Sequence, residues 1–407
     1  MAKNAIVGQS GGPTAVINSS LAGVYEAAKR RGIDKVYGMK HGVQGLLNRD
    51  VIDLSKAING ELDIELLKRT PSSFLGSCRY KLPNADEQPE VYENLFNILQ
   101  EMEIAWFFYI GGNDSMDTIS KLSDYGRKTG SSIRFIGVPK TIDNDLEGTD
   151  HTPGFGSAAK YIGTTIKEIV RDSLVYDMRS VTIVEIMGRN AGWLTAAAAL
   201  AKSDDCEGAD LLYLPEVDFD PDRFVEKVKQ LQEKKGNIVI AVSEGIRTRD
   251  GVYVCELQEA LGPQDAFGHK ILTGTARYLA SLLSQRLGIK ARAIELSTLQ
   301  RCSSHMVSRM DITEAYQVGG AAVCAAEEGR TGEMVGLSRI SENPYQCITE
   351  LHDIHQIANQ EKKVPRDWIN KEGDGVTEEM LSYLRPLIQA ELSPVYVSGL
   401  PRHIVLT

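Results

Sequence analysis

One local unit recurs along this chain and limits what it can fold into: a short apolar run, a glycine-bearing or polar turn, and a stretch with helical spacing. Its most informative copy is Phe135-Ile136-Gly137-Val138 followed by Pro139-Lys140-Thr141-Ile142-Asp143-Asn144-Asp145. An unbroken apolar run reads as a strand covered on both faces, as in a parallel sheet. Pro139 has no N–H to give a ladder, so the strand is expected to end there. A cation, a hydroxyl and two carboxylates then stand at a strand's C-terminal end, where open α/β sheets bind ligands. Two aspartates two positions apart can divide labour, one accepting a proton and the other orienting a metal ion or water. Lys140 offers positive charge to a phosphate. The same residues would also make an ordinary polar loop with an Asx turn.

Other copies of the unit bear on that choice. Ala5-Ile6-Val7-Gly8-Gln9 leads into Ser10-Gly11-Gly12-Pro13-Thr14 and then helical spacing from Ala15 to Arg31, stopped by Gly32. Strand, glycine turn and helix aim backbone N–H groups at an anion. Neither the P-loop lysine pattern nor a GxGxxG fingerprint accompanies them. A third copy runs from Ala105 to Ile110, through Gly111-Gly112-Asn113-Asp114-Ser115, into a helix near Met116, which sets Asp114 at a helix N-terminus. Three such turns can line one crevice. Between them, Thr70 to Leu82 surrounds Arg79 and Lys81 with small and polar residues, a loop suited to phosphate or to solvent.

The alternation continues. A helix is expected from Gly154-Phe155-Gly156-Ser157 to about Leu174, and a strand at Val181 to Ile186. Met187-Gly188-Arg189-Asn190-Ala191-Gly192-Trp193 then turns into an alanine-rich helix near Thr195 to Ala201. Strands at Asp210 to Leu214, Asn237 to Val242 (closed by Ser243-Glu244-Gly245) and Ala291 to Leu296 (carrying Arg292, with Gln300-Arg301 after it) alternate with helices at Phe224 to Lys235 and His269 to Leu287. This order predicts an α/β fold of mainly parallel sheets with helices on both faces. Length favours two domains; we expect residues 1–154 and 155–300, with 301–407 packing back across both. In the tail, Ile348 to Asn359 reads as a helix with His352 and His355 on one face, structural rather than metal-binding because no third ligand is in view. Val376 to Leu384 reads as a further helix, ended by Pro386.

Composition narrows the function. A net charge of −10 argues against nucleic acid as a partner, while leaving phosphorylated small molecules open to local cations. The six cysteines are scattered without a CxxC pair, as expected of free thiols in a reducing compartment. No signal peptide and no apolar run of membrane-spanning length is evident. A cytoplasmic enzyme with no membrane partner is the expectation.

Taken jointly, Gly11-Gly12, Gly-Ser-Cys-Arg79, Gly-Gly-Asn-Asp114-Ser, Pro-Lys140-Thr-Ile-Asp143-Asn-Asp145, Met187-Gly-Arg189, Ser-Glu244-Gly and Arg292 with Gln-Arg301 resemble the phosphofructokinases, over about the first 320 residues and in the right order. Within that family the chain is most similar to the pyrophosphate-dependent branch. The resemblance implies a two-domain fold with the active site in the cleft between a donor-binding and a fructose-6-phosphate-binding domain. It implies reversible, magnesium-dependent phosphoryl transfer from pyrophosphate to fructose 6-phosphate. Asp143 would be the general base, with Lys140 and Asp114 beside it. Gly11, Gly12, Arg79, Lys81 and Lys140 would hold pyrophosphate. Thr141, Ile142, Asp143, Met187, Gly188, Arg189, Glu244, Arg292 and Arg301 would hold the sugar phosphate. Asn113, Asp114 and Asp145 would hold Mg2+.

The resemblance also addresses the donor. Glycines typical of ATP-using members are replaced here by Asp114, whose carboxylate would crowd and repel an α-phosphate, and by Lys140, which would balance the charge of a small donor. Departures from the ATP-dependent pattern are Asn113 for a magnesium-binding aspartate, Ser180 for an arginine (with Arg179 next to it) and Thr298 for a histidine. Ala22 and Glu26 replace two effector-site arginines, which implies no allosteric control. A homodimer or homotetramer is implied as well, with phosphate-site residues shared across its interface. An ATP-dependent enzyme and a catalytically silent sugar-phosphate sensor are the alternatives left open.

Overall fold

The computed structural model describes residues 4–175, 177–257 and 274–406. The strands of its two larger sheets, in chain order, are β1 (Asn4–Gln9), β2 (Val36–Met39), β3 (Val51–Asp53), β4 (Ile104–Gly111), β5 (Arg134–Pro139), β6 (Ser180–Ile186), β7 (Leu211–Tyr213), β8 (Asn237–Ser243), β9 (Lys290–Glu295), β10 (Glu333–Glu342) and β11 (Tyr345–Asp353). Among the described residues they build a seven-stranded sheet in the order β11-β10-β5-β4-β1-β2-β3 and a four-stranded sheet in the order β7-β8-β6-β9. The inner pairs of the first sheet are parallel, and so is every pair of the second. Within these two sheets antiparallel pairing is confined to the margins, β3 on β2 and β11 on β10, and a separate two-stranded antiparallel ribbon joins Tyr396–Val397 to Leu400–Pro401.

Period-two alternation explains why these runs need helices on both sides. Ala5, Val7, Phe108, Ile110, Ile136 and Val138 face one way, onto Ile17 and Leu21 of the Ile17–Arg30 helix and Val318 and Ala322 of the Arg309–Glu327 helix. Ile6, Phe107, Tyr109 and Phe135 face the other way, onto Met116, Ile119 and Leu122 of the Asn113–Thr129 helix. In the second sheet Val184, Ile186, Val239 and Ala241 pack on Phe155, Ile162 and Ile166 of the Phe155–Ser173 helix, and on Met380, Tyr383 and Leu384 from the C-terminal part of the chain. Val181, Ile183, Ile238 and Ile240 pack on Phe224, Val228, Leu279 and Leu283.

Two helices of the first layer cross with their backbones nearly touching. A Cβ on Gly23 would lie 2.1 Å from the carbonyl oxygen of Tyr316, and one on Gly319 would lie 2.2 Å from that of Ser20. Only glycine fits such a crossing.

The chain after residue 330 departs from expectation. β10 joins the first sheet by parallel pairing to β5, with Glu333 opposite Ile136 and Met334 opposite Gly137. The helix expected over Ile348 to Asn359 is corrected: Tyr345–Asp353 is a strand antiparallel to β10, and only Ile354–Gln356 coils, as a single 3₁₀ turn. His352 therefore lies on a strand and His355 in the turn, where its ring meets the Ser120 hydroxyl at 3.0 Å and the Asp124 carboxylate at 3.2 Å. The last expected helix is present as Glu378–Leu384 and passes into a 3₁₀ turn containing Pro386. Of the helix expected from His269, Thr275–Leu287 is helical, and residues 269–273 lie outside the described residues.

Candidate active site

Loops that follow β1, β4, β5, β6 and β8 converge on one cleft of about 600 Å³. The strand ends of both sheets thus supply it, as in other open α/β folds. A larger hollow of about 940 Å³ lies along the Phe155–Ser173 helix, but it contains none of these loops. Its walls mix both charges, and Lys167 is held by Asp205 at 2.7 Å. Convergence of strand ends, not volume, marks the site.

The first turn brings two cations against open backbone. Gly11 adopts φ +75°, and its N–H bonds the carbonyl of Cys78 at 3.2 Å. Lys140 reaches across from the end of β5, and its Nζ donates to the Gly12 carbonyl at 2.6 Å. A side chain at residue 12 would put its Cβ 3.3 Å from Nη1 of Arg301. Gly12, Lys140 and Arg301 therefore surround one small volume. Burial pushes the Lys140 ammonium down to about 8; Asp143 and Asp145 work against that drop and Arg301 adds to it. A second turn, Gly112 into the Asn113–Thr129 helix, places Asp114 in the first helical turn, exposed in the cleft. Asn113 donates to the Gln360 carbonyl at 2.8 Å, while its Oδ1 is buried with no hydrogen-bond partner.

The third turn holds the carboxylates. The Thr141 hydroxyl accepts from the Asp143 N–H at 3.1 Å and donates to the Asp143 carboxylate at 3.3 Å. Asn144 sits at φ +57°, a left-handed conformation that Asn tolerates better than most residues. Burial raises the Asp143 carboxyl above its ordinary range, and Lys140, the Thr141 hydroxyl, Arg189 and Arg301 restrain that rise. Burial, and then the neighbouring Asp143 charge, pushes Asp145 up to about 7. The two titrate as a pair. Across the cleft, burial pushes Glu244 up to about 7, partly countered by the Gly188 N–H at 3.4 Å and reinforced by Asp143. Met187 donates through its N–H to the side chain of Gln300 at 3.3 Å. A Cβ on Gly245 would lie 1.9 Å from the Arg189 carbonyl, so glycine there lets the Arg189 loop close onto the end of β8.

The cleft thus gathers Gly11, Gly12, Arg79, Asp114, Asn113, Lys140, Thr141, Ile142, Asp143, Asp145, Met187, Gly188, Arg189, Glu244 and Arg301. Two expected residues stand apart. Lys81 is exposed and outside the cleft lining. Arg292, on edge strand β9, lines a separate hollow of about 380 Å³ with Ser180 and Lys290. Tyr80, Asn190, Tyr253 and Glu361 also line the cleft and were not anticipated. Asn190 follows Arg189 directly and could have been inferred from it. Glu361 comes from the C-terminal part with no motif around it, and accepts from the Asn190 amide at 2.7 Å. No cluster of three His, Cys, Asp or Glu able to hold a metal occurs among the described residues.

Glycine turns, clustered cations and paired carboxylates at the C-terminal ends of parallel strands define an α/β protein that handles phosphorylated small molecules. The chain belongs to the phosphofructokinase family: the Phosphofructokinase family model matches residues 4–326. It is 42% identical over 403 residues to a pyrophosphate–fructose 6-phosphate 1-phosphotransferase of Halomonas elongata, covering 98% of this chain and 95% of that one. It is 41% identical over 409 residues to the protein of the same name from Methylococcus capsulatus, covering 100% and 96%. The crystal structure of a pyrophosphate-dependent phosphofructokinase from Marinobacter aquaeolei superposes with a TM-score of 0.88 at 38% identity, covering 99% of this chain and 95% of that one.

Proposed function

We propose that this chain transfers a phosphoryl group from inorganic pyrophosphate to the 1-hydroxyl of D-fructose 6-phosphate, giving fructose 1,6-bisphosphate and phosphate. The observation that carries this is the meeting of Lys140, Arg301 and Asp143 around the open backbone of Gly12. Phosphoryl transfer needs little covalent help from a protein and depends on positioning and charge neutralisation. Asp143 takes the proton as the sugar oxygen bonds to phosphorus. The bridging P–O bond breaks, and orthophosphate leaves beside Lys140 and Arg79. Arg189, Arg301, Met187, Gly188 and Glu244 hold the sugar. Asp114 at the helix head stands against a longer polyphosphate, and Lys140 suits a compact, highly charged donor. Pyrophosphate and the ester differ modestly in transfer potential, so the reaction runs in both directions.

Mg2+ fits this site as an ion carried on substrate. It usually binds proteins through one or two carboxylates and takes its remaining ligands from phosphate and water. The orphaned Oδ1 of Asn113, together with Asp114 and Asp145, is where this chain would hold it. When bound it neutralises charge on the transferring group. We also propose two domains in one chain, the first for the donor and the second for the sugar, and a homodimer or homotetramer in which the edge at β9 brings Arg292 to a neighbour's sugar phosphate. Absence of allosteric control is supported by Ala22, which is fully buried, and by Glu26, which accepts from the Tyr316 hydroxyl at 2.7 Å and adds negative charge. Six unpaired cysteines fit a cytoplasmic setting.

Initial rates with fructose 6-phosphate and magnesium, comparing pyrophosphate with ATP and the parent with Asp143→Ala, test this. Turnover with pyrophosphate well above that with ATP is expected, and a fall of about 10²- to 10⁴-fold in the variant. Preference for ATP would overturn the donor assignment. Sugar-phosphate binding without turnover by either donor would make the chain a binding protein.

A further inference from the structure

We propose that Tyr383, from the C-terminal part of the chain, is a positioning residue for the reaction and holds the Asp143 loop through Asn144. The inference rests on the function proposed above. Tyr383 lies outside the residues matched by the family model, which end at 326.

The loop has an unusual mechanical problem. Asp143 must present its carboxylate to the sugar hydroxyl, yet the next residue sits at φ +57°. Outside glycine such a conformation persists where surrounding contacts impose it. At Asn144 the contacts are identifiable. Its amide donates to the Tyr383 phenol oxygen at 2.8 Å, and its carbonyl oxygen accepts from the Thr152 N–H at 3.0 Å. The Tyr383 hydroxyl donates in turn to the Asp150 carbonyl at 2.7 Å. One phenol therefore ties the turn after Thr141 to the segment that closes it, where Thr152 also donates to the Thr141 carbonyl at 2.7 Å. Asn144 itself is fully buried.

Tyr383 is well placed to act as a fixed post. Its ring centroid lies 5.3 Å from that of Trp193 and 5.4 Å from that of Trp368, and the Arg339 guanidinium stands 4.7 Å above it. Arg339 comes from β10, Trp193 from the short Trp193–Ala196 helix after β6, and Trp368 from the C-terminal part. The post is thus set by both sheets, and a shift of one against the other would be felt at Asn144. The other flank of the loop is held from the same part of the chain, since the Lys362 N–H donates to the Asp145 carbonyl at 2.8 Å. Loss of the Tyr383 hydroxyl would leave the backbone path of Asp143 under-determined while removing no substrate-contacting side chain.

Tyr383→Phe keeps the packed ring and deletes the hydroxyl. Asn144→Gly keeps the left-handed conformation and deletes that hydrogen bond from the other side, together with the one its side-chain oxygen accepts from the Thr152 N–H. Both are assayed against the parent with fructose 6-phosphate, magnesium and either pyrophosphate or ATP, so that failure of the donor assignment shows in the parent and leaves this comparison intact. We expect kcat to fall about 10- to 100-fold in each variant, the penalty for a misplaced reacting group. KM for both substrates should stay within about threefold, and the double variant should be little slower than Asn144→Gly, because that variant already lacks the bond to Tyr383. A kcat of Tyr383→Phe within twofold of the parent, or losses that multiply in the double variant, would overturn the proposal. If Tyr383→Phe does not fold, Asn144→Gly decides alone: a kcat within twofold of the parent overturns it.

Discussion

Lys140 and Asp114, to which the proposed function gives the donor choice, stand in opposite environments. Lys140 is 2% exposed and gives a proton contact to the Gly12 carbonyl; Asp114 is exposed at a helix head. A buried ammonium is costly unless an anion arrives to pair with it. In the proposed reaction pyrophosphate supplies that anion. Burial already lowers the Lys140 ammonium to about 8, so the site holds its charge below that pH and loses it above. Turnover of pyrophosphate should therefore decline as pH rises through about 8. Lys140→Met should lose roughly 10²- to 10³-fold in kcat/KM for pyrophosphate, as expected for removal of one charged donor from a transition-state site, and its residual activity should lack that alkaline limb. Asp114→Gly should raise ATP turnover above the parent's, and Asp114→Gly with Lys140→Gly should raise it further. Steady-state rates over pH 6 to 9.5 with each donor check these outcomes; an unchanged alkaline limb in Lys140→Met would assign it to another group.

At the scale of elements, the units that were legible are the ones whose information is local. A strand, its turn and the following helix sit within about thirty residues, and their apolar periodicity and punctuation name them. The three turns were found in this way, whereas Arg79 was read from the small and polar residues around it. Pairing of β10 with β5 joins residues almost two hundred apart, and nothing in either segment announces it. Ile348, Leu351 and Ile354 repeat every three residues, which imitates a helix face, yet antiparallel pairing with β10 makes Tyr345–Asp353 a strand. Glu361 reaches the cleft, and Tyr383 the loop that carries Asp143, only through tertiary structure. The same packing creates a buried cluster that sequence did not suggest. His151 lies between Asp150 at 2.8 Å and Glu314 of the Arg309–Glu327 helix at 2.7 Å, with Arg339 on Asp150 and the Tyr345 hydroxyl on Glu314. Although burial opposes its charge, Glu314 and Asp150 prevail and raise the His151 imidazolium to about 9. A folded-state pKa above the unfolded one means stability fully present below pH 6.5 and lost as pH rises through 9, on the order of 3 kcal/mol. Thermal unfolding should accordingly shift to lower temperature between pH 7 and 9.5. His151→Gln should unfold at lower temperature at pH 6.5 and show a flatter pH dependence. A midpoint that is level across that window in the parent would show that His151 is not charged in the folded protein.

At the scale of the whole molecule, one arginine proposed for the sugar phosphate stands away from the cleft of its own copy. Arg292 lies on β9, the edge strand of the four-stranded sheet, and lines its own hollow rather than the cleft that holds Asp143. An exposed sheet edge bearing a guanidinium suits a contact with a second copy, and a two-fold contact would send each copy's Arg292 toward the other's cleft. That arrangement makes each active site a mosaic, which has a consequence independent of any interface map. Asp143→Ala removes the base from its own cleft and leaves its Arg292 available to a neighbour. Arg292→Ala does the reverse. Each variant alone should be nearly inactive. In a mixed dimer, one site combines both lesions and the other combines both intact residues. Random association makes half of the dimers mixed, so co-expression of the two variants should restore about a quarter of parental turnover. Restoration should be strongest in material purified through a different affinity tag on each variant, where every dimer is mixed and about half of the sites are intact. If Arg292 serves only its own chain, the doubly purified material will be as inactive as the single variants, and the 6-phosphate must then be held within one copy by Arg189 and Arg301.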